Sequence, residues 1–514
     1  MIMSKQSRAG CWGCLRVARG VGTVLVLLIC RQSISAEVAA HWSQFHGPNG
    51  SGIASGDTAG PIEFGPKKNL LWNTKLPAGH SSPCVAGNRV FVTAYDVDDE
   101  KSLRTICLDA ATGDIRWSKT APAGQIEKHH EVSNPATATP ATDGKIVVSY
   151  FGSAGLFAYD FDGNEVWTKP LPMAKTSREF GSGTSPIVAD GKAILDVHLD
   201  NDSYLAAYDL GSGDEVWRAP RGLFNRGWAT PVTWREGEAG RVGMAAEGRF
   251  IAYDLQSGKE VWWVAGVGNQ VCATPVVAGD VIVISSAGVL GDVTNVIAPP
   301  TFDDALAKFD ANQDGSIALS EIPDTVLMVD RKASDGAGNM TLAEAFQLFG
   351  QSSDKPVGRL DWEKLRLGVA AFNLSDMNKT NVMAVRTGGD GDVTKSNVLW
   401  QQTRGVPEVP SPLVYRDRVW MIRNGGLLTC LDLADGQIKF QKRVGEGGGY
   451  YASPVAGDGR IYVASDSGVV AVIQAGDKFR VLARNQINEP ILATPALVDG
   501  TLYVRTTKQL LAFR

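Results

Sequence analysis

Asp310, Asn312, Asp314, Ser316 and Glu321 occupy positions one, three, five, seven and twelve of a single stretch that ends in Ser-Glu321. That spacing suits a hard divalent cation. Carboxylate and amide oxygens arrive at alternate positions, Ser316 offers its backbone carbonyl, and Glu321 can close the shell with both oxygens. Gly315 at position six permits the sharp turn, and Ala318 leaves position nine to a water. Three carboxylates crowded together would repel one another without a cation, so calcium is the expected ligand.

This is the pattern of an EF-hand loop, and such loops usually come in pairs. A second stretch starting at Ala333 places Asp335, Gly338, Met340 and Glu344 at positions three, six, eight and twelve, but has alanine at one and five. It is expected to be a decayed partner that pairs through Ile317 and Met340, binds little or no calcium, and leads into a helix from Thr341 to Phe349. Helical spacing is also expected over Phe302–Phe309 and Leu360–Phe372.

Other chemistry-bearing residues are scattered. His129 and His130 are adjacent, but no third ligand stands at metal-binding spacing, so hydrogen-bonded or exposed histidines are the simpler reading. His198 with Asp196, Asp200 and Asp202 reads as a solvated acidic loop. Gly388–Asp392 reads as a turn, because no strand–glycine–helix context surrounds it. Cys84, Cys107, Cys272 and Cys430 each sit alone in apolar runs, as buried small side chains do.

The elements that position these residues repeat. A Ser/Thr-Pro step followed by an alternating apolar run occurs eight times, at Pro83, Pro140, Pro186, Pro231, Pro275, Pro412, Pro454 and Pro495. A small residue follows, often with Asp two positions on, then a Gly turn and a closing aromatic such as Trp117, Trp167, Trp217 or Trp262. Four short period-two runs separated by turns make a four-stranded antiparallel sheet. One such sheet cannot bury both faces, so the copies must pack around an axis as propeller blades. The last unit stops at Arg514 without its outer strand, and Leu70–Thr74 stands alone before Pro83. That strand is expected to close an eighth blade. The fold class is therefore all-β, an eight-bladed propeller.

Small-residue positions advance regularly except between Ala252 and Ala384. The excess falls between the second and third strands of blade five and contains the calcium loop. The resulting organisation is a signal peptide over 1–36, an N-terminal extension over 37–69, blades over 70–288, the helical insert over 289–376 and the remaining blades over 377–514. Residues 1–36 hold five basic residues, no acid and the apolar run Val21–Cys30, which reads as an export signal. A periplasmic or secreted monomer with no transmembrane anchor is expected. Removing that segment takes the net charge from −5 to −10, which excludes a basic nucleic-acid footprint.

Ala207-Tyr-Asp209-Leu-Gly-Ser-Gly213-Asp-Glu-Val-Trp217 and Ala252-Tyr-Asp254-Leu-Gln-Ser-Gly258-Lys-Glu-Val-Trp262 resemble the docking motif of the pyrroloquinoline-quinone-like propeller repeat family. Trp42-Ser-Gln-Phe45-His-Gly47-Pro48-Asn-Gly50 is similar to the leader of its exported bacterial members. The resemblance implies the fold more than an activity, since such blades serve quinone dehydrogenases and assembly factors alike. Quinone dehydrogenases of this family carry adjacent cysteines, and no Cys-Cys pair exists here, so pyrroloquinoline quinone is not expected as a cofactor. The leading expectation is a non-enzymatic propeller that binds a protein or small-molecule ligand on the face formed by its inter-blade loops. His129, His130, Glu131, Asn134, Arg178, Arg226, Arg404, Tyr450 and Tyr451 lie on those loops. A quinone-dependent oxidoreductase and an envelope assembly scaffold are the alternatives.

Overall fold

The computed structural model describes residues 41–514 apart from 57–58, 131, 177–178, 200–201, 222–226, 289–294, 331–339, 349–354, 375–379 and 446. The segment read as an export signal lies outside the described residues, as do Glu131, Arg178, Asp200, Arg226, Asp335 and Gly338.

Eight antiparallel sheets, each built on four strands, follow one another along the chain. Seven use consecutive strands apart from the insert. The eighth takes Ala496–Val498, Thr501–Arg505 and Gln509–Phe513 from the C-terminus and Leu70–Lys75 from the N-terminal side. Trp72 faces Ala512 and Thr74 faces Leu510 in that pairing. The expected closure is therefore present.

The tryptophan repeat has a direct physical role. Trp167 donates its indole N–H to the Leu210 carbonyl of the next blade at 2.8 Å, and Trp217 does the same to Leu255 at 3.1 Å. The ring lies flat on the turn glycine: a β-carbon at Gly213 would meet Trp167 at 2.6 Å, and one at Gly258 would meet Trp217 at 2.5 Å. Both glycines also have positive φ, so the motif needs glycine for conformation and for clearance. Asp209 fixes the turn by accepting the backbone N–H groups of Gly211 and Ser212. Trp262 departs from the pattern and donates to Glu236 within its own blade, because blade five lacks the usual Asp–Gly turn opposite it.

The Ser/Thr-Pro repeat does something the sequence did not reveal. The Ser82 N–H donates to the Thr139 hydroxyl at 2.9 Å, Thr139 to Ser185 at 2.9 Å, Ser185 to Thr230 at 3.2 Å and Thr230 to Thr274 at 3.1 Å. Thr274 donates to Ser411 at 3.0 Å, Ser411 to Ser453 at 2.9 Å, Ser453 to Thr494 at 2.9 Å, and Thr494 back to Ser82 at 3.0 Å. Each proline holds the preceding residue extended, which presents that residue to the neighbouring blade. The result is a closed hydrogen-bonded hoop with one member per blade. Every buried backbone N–H in it is satisfied without sheet pairing.

Between Val281–Ser286 and Asn381–Arg386 of blade five the chain leaves to form the insert. Its helices α1 (Phe302–Phe309), α2 (Leu342–Leu348) and α3 (Arg359–Leu374) share a core of Phe302, Phe309, Phe346, Leu365 and the fully buried Trp362. The expected partner register is wrong. Ile317 pairs with Val357, exchanging hydrogen bonds of 3.3 and 2.7 Å, whereas Met340 pairs with Val329. The Asp310–Glu321 loop thus pairs with the connection between α2 and α3; residues 331–339 lie outside the described residues, and α2 forms where a helix was expected over Thr341–Phe349. The pairing position takes a β-branched residue, Val357, which suits a strand better than the flexible Met340.

Candidate functional site

The short segment after Trp42 determines what the propeller axis can hold. Trp42 is buried against Gly47, the Thr142 N–H donates to the Ser43 carbonyl, and the His46 ring bonds the Pro454 carbonyl at 2.9 Å. Gly50 reaches Val232 and Thr274, and Gly52 and Ala54 bond Ala456. One stretch of about a dozen residues thereby touches blades two, four, five and seven. It crosses the ring beneath the inner strands, and Phe45 projects into the base of a cavity of about 310 Å³. The axis is a blind funnel, plugged at one end.

Its lining comes from the residues just before each inner strand. Seven of the eight hoop hydroxyls face it; Ser411 is the exception. Phe45, Phe180, Trp228 and Tyr451 supply the aromatic surface, and Val132, Val409 and Leu492 add apolar rim. Among the described residues the lining holds no carboxylate, lysine or arginine. Its single histidine, His80, is pushed down to about 4 by burial and by the Arg505 charge, so it is neutral. Cys272 also lines the funnel, with its thiol pushed up to about 12 by burial, which leaves no thiolate nucleophile at neutral pH.

The expected loop-face residues divide. Tyr451 lines the funnel, whereas Tyr450 is buried beside it in a smaller cavity with Arg423 and Asn424. His130 stacks on Phe180 at 4.9 Å and Phe180 meets Trp228 edge-on at 5.7 Å, so His130 extends the aromatic wall. His129 contacts the His130 carbonyl and lies against Gly181. Asn134 is buried and accepts the Ala136 N–H at 2.9 Å, which makes it a turn former rather than a ligand contact. Arg404 is exposed. Sequence reading missed Phe45, Phe180, Trp228 and the hydroxyl hoop. The eightfold recurrence of Ser/Thr before Pro was the available signal for the hoop.

In the Asp310–Glu321 loop, backbone amides hold the oxygen-bearing side chains. Asp310 accepts the N–H groups of Asp314 and Gly315 at 3.1 and 3.0 Å, and Asn312 accepts Asp314 at 2.9 Å. Asp314 accepts both the N–H and the hydroxyl of Ser316, which hold its carboxyl below the usual range. Glu321 reaches back to the N–H groups of Ala311, Asn312 and Ala318. Among the described residues no three His, Cys, Asp or Glu side chains converge as a metal group. The carboxylates are turned onto loop amides instead of towards one point.

The acidic cluster near His198 divides: Asp202 is exposed as expected, Asp200 lies outside the described residues, and Asp196 is buried. Asp196 and Arg221 are buried, with Arg221 Nε 3.3 Å from one carboxylate oxygen, and His198 Nε2 lies 3.1 Å from the other. Arg221 donates to His198 Nδ1 at 2.7 Å, so that nitrogen carries no proton and the ring is neutral, in keeping with its lowered affinity for protons through burial. The four cysteines after residue 41 are free, three of them buried.

His46, His80 and His198 are all held neutral in the fold by burial. Each recovers a pKa near 6.5 on unfolding, so below that pH the unfolded chain binds more protons and stability falls. The loss is at most about 1.4 kcal/mol per pH unit per histidine, and for His80 it continues to about pH 4. Melting temperatures measured from pH 7 to pH 5 should fall steadily; a flat series would contradict this.

Fold and funnel together define an eight-bladed propeller of tryptophan-docked repeats, plugged at its base. A family model described as outer membrane protein assembly factor BamB matches residues 53–200 and 201–320, just over half of the chain, and the chain belongs to that family. Among solved structures it is similar to BamB from Moraxella catarrhalis, at 14% identity and TM-score 0.50, covering 86% of this chain and 98% of that one. A europium-containing methanol dehydrogenase matches at 12% identity and TM-score 0.52, over 90% and 89% of the two chains. A quinohemoprotein alcohol dehydrogenase from Comamonas testosteroni matches at 12% and 0.52, over 92% and 80%. At these identities the likeness is one of fold. No curated protein sequence matches the chain. Among the described residues the funnel lining holds one cysteine, Cys272, and no charged carboxylate, lysine or arginine side chain.

Proposed function

We propose that this chain is an exported, non-enzymatic binding propeller that takes its ligand at the funnel mouth and carries a calcium-binding EF-hand module in blade five. The supporting observation is the funnel itself: aromatic walls and hydroxyls, with no nucleophile–base pair among the described residues of its lining. Membership of an outer membrane assembly-factor family favours a protein partner over a small metabolite. No helix among the described residues is long and apolar enough to cross a membrane, which agrees with a role carried out beside a membrane.

The calcium module rests on spacing and on the loop's amide-anchored side chains. A site of extracellular type binds at roughly 10⁻⁴–10⁻³ M and stays loaded outside the cytoplasm, so its role is structural. Isothermal titration of calcium into the wild-type chain is expected to show one site, weakened at least about a hundredfold in Asp310→Ala. Identical isotherms would remove the site. For the funnel, a photo-crosslinking residue at position 451 is expected to capture an envelope partner that one at exposed position 435 does not. Equal yields from both positions would count against the loop face.

A further inference from the structure

Arg505, the last residue of its strand, is 1% exposed. Its partners are the Ser81 carbonyl, at 3.1 Å, and the Ser81 hydroxyl. Its Nη2 has no partner, and no carboxylate among the described residues pairs with it. The guanidinium occupies the space that a side chain at Gly79 would need. An arginine keeps its proton in such a place, and a buried cation without a counter-ion costs several kcal/mol. Ser81 lies between His80 and Ser82, both of which line the funnel. The charge therefore stands directly behind the funnel wall, where low dielectric strengthens its field.

The hoop supplies a second, independent observation. Each of its eight hydroxyls accepts one N–H, and none donates to an acceptor among the described residues. All are at most 3% exposed, and seven face the cavity. Buried hydroxyls normally spend their protons. Here the unspent donors line a cavity with no carboxylate among its described residues, and behind it stands a cation with no carboxylate partner among the described residues. Donors and field select an anionic oxygen, and the aromatic walls above select a flat apolar body.

We infer that the funnel binds a monocarboxylate bearing an aromatic group, its oxygens on the hydroxyl hoop beside Ser82 and Thr494 and its ring among Phe180, Trp228 and Tyr451. The inference rests on the funnel being a binding site and names the chemistry it recognises. Two sources share that chemistry: a free aromatic acid, or the C-terminal aromatic residue of a polypeptide.

The test uses the full exported chain and ligand-observed NMR at fixed ionic strength. Benzoate is expected to bind saturably and at least tenfold more tightly than benzamide. Gly-Gly-Phe with a free carboxylate, compared with its amide, reads the polypeptide source; preference for the free acid by the peptide over benzoate would assign that source. Arg505→Met replaces an unpaired buried charge with an apolar chain of similar length, so it should fold, and it is expected to abolish the tenfold preference. Chloride competition against benzoate in the wild type reads the same field without a variant and should weaken binding. Equal binding of benzoate and benzamide would overturn the anion while leaving a neutral aromatic funnel. Benzoate affinity unchanged in Arg505→Met, or unmoved by chloride, would also overturn it. Absence of binding by every probe would sink the inference and the funnel reading together.

Discussion

Trp72→Ala is expected to unlatch the ring at the seam between the two ends of the chain, at a cost of about 3–5 kcal/mol. Trp72 is buried, donates its indole N–H to the Ala110 carbonyl of blade one at 3.0 Å, and lies flat on Gly113. It packs against Tyr503 at 5.9 Å within its own blade. Its strand has a single neighbour, Gln509–Phe513, and docks on blade one through this side chain and through the Thr74 hydroxyl, which donates to the Gly113 carbonyl at 2.6 Å. The Arg514 N–H, bonded to the Asn69 carbonyl, and the contact of Phe64 with Phe513 at 4.9 Å belong to the same seam. Trp167→Ala removes an equivalent docking contact from the middle of the ring and is the matched control. Denaturant unfolding should show both losses. Amide exchange should accelerate across Leu70–Lys75 and Gln509–Phe513 in Trp72→Ala alone. Protection of that seam indistinguishable from wild type would mean that the ring does not depend on it.

Arg221→Ala is expected to destabilise the chain by a similar amount, about 3–5 kcal/mol, for an electrostatic reason. The Asp196 carboxylate is fully buried and faces Arg221 and the neutral His198. Removing the guanidinium leaves an uncompensated anion in the interior and takes the donor from His198 Nδ1. Asp196→Asn combined with Arg221→Met removes both charges, so the double variant should lose less than Arg221→Ala alone. A shift under about 1 kcal/mol for Arg221→Ala would show that water reaches the pair. The contrast with Arg505 is informative. One buried arginine has its carboxylate within the chain, and the other has none among the described residues, which is why Arg505 points to a ligand and Arg221 to stability.

Repeat and register were legible because they are periodic. Pro83 to Pro495 mark the blades, Trp167 and Trp217 with their glycines mark the seams between blades, and Leu70–Thr74 could be matched to a missing strand by counting. The spacing of Asp310 to Glu321 is local to one loop, so the expectation of a calcium site there rests on sequence alone. The pairing of Ile317 with Val357 was not legible. Its partner loop lacks the acidic signature, so sequence favoured the more acidic stretch after Ala333, while helix packing around Trp362 chose the other. The depth of Asp196 was not legible for a related reason: sequence gives charge but not burial.

Determined by the sequence alone were the eight-bladed wheel, its closing strand and the interruption in blade five, all consequences of spacing along the chain. Left to the tertiary structure were the hydroxyl hoop, the Trp42–Ala54 plug, the aromatic funnel and the unpaired Arg505. These join residues up to several hundred positions apart, and their chemistry exists only where the ring brings eight inner strands and both chain ends to one axis.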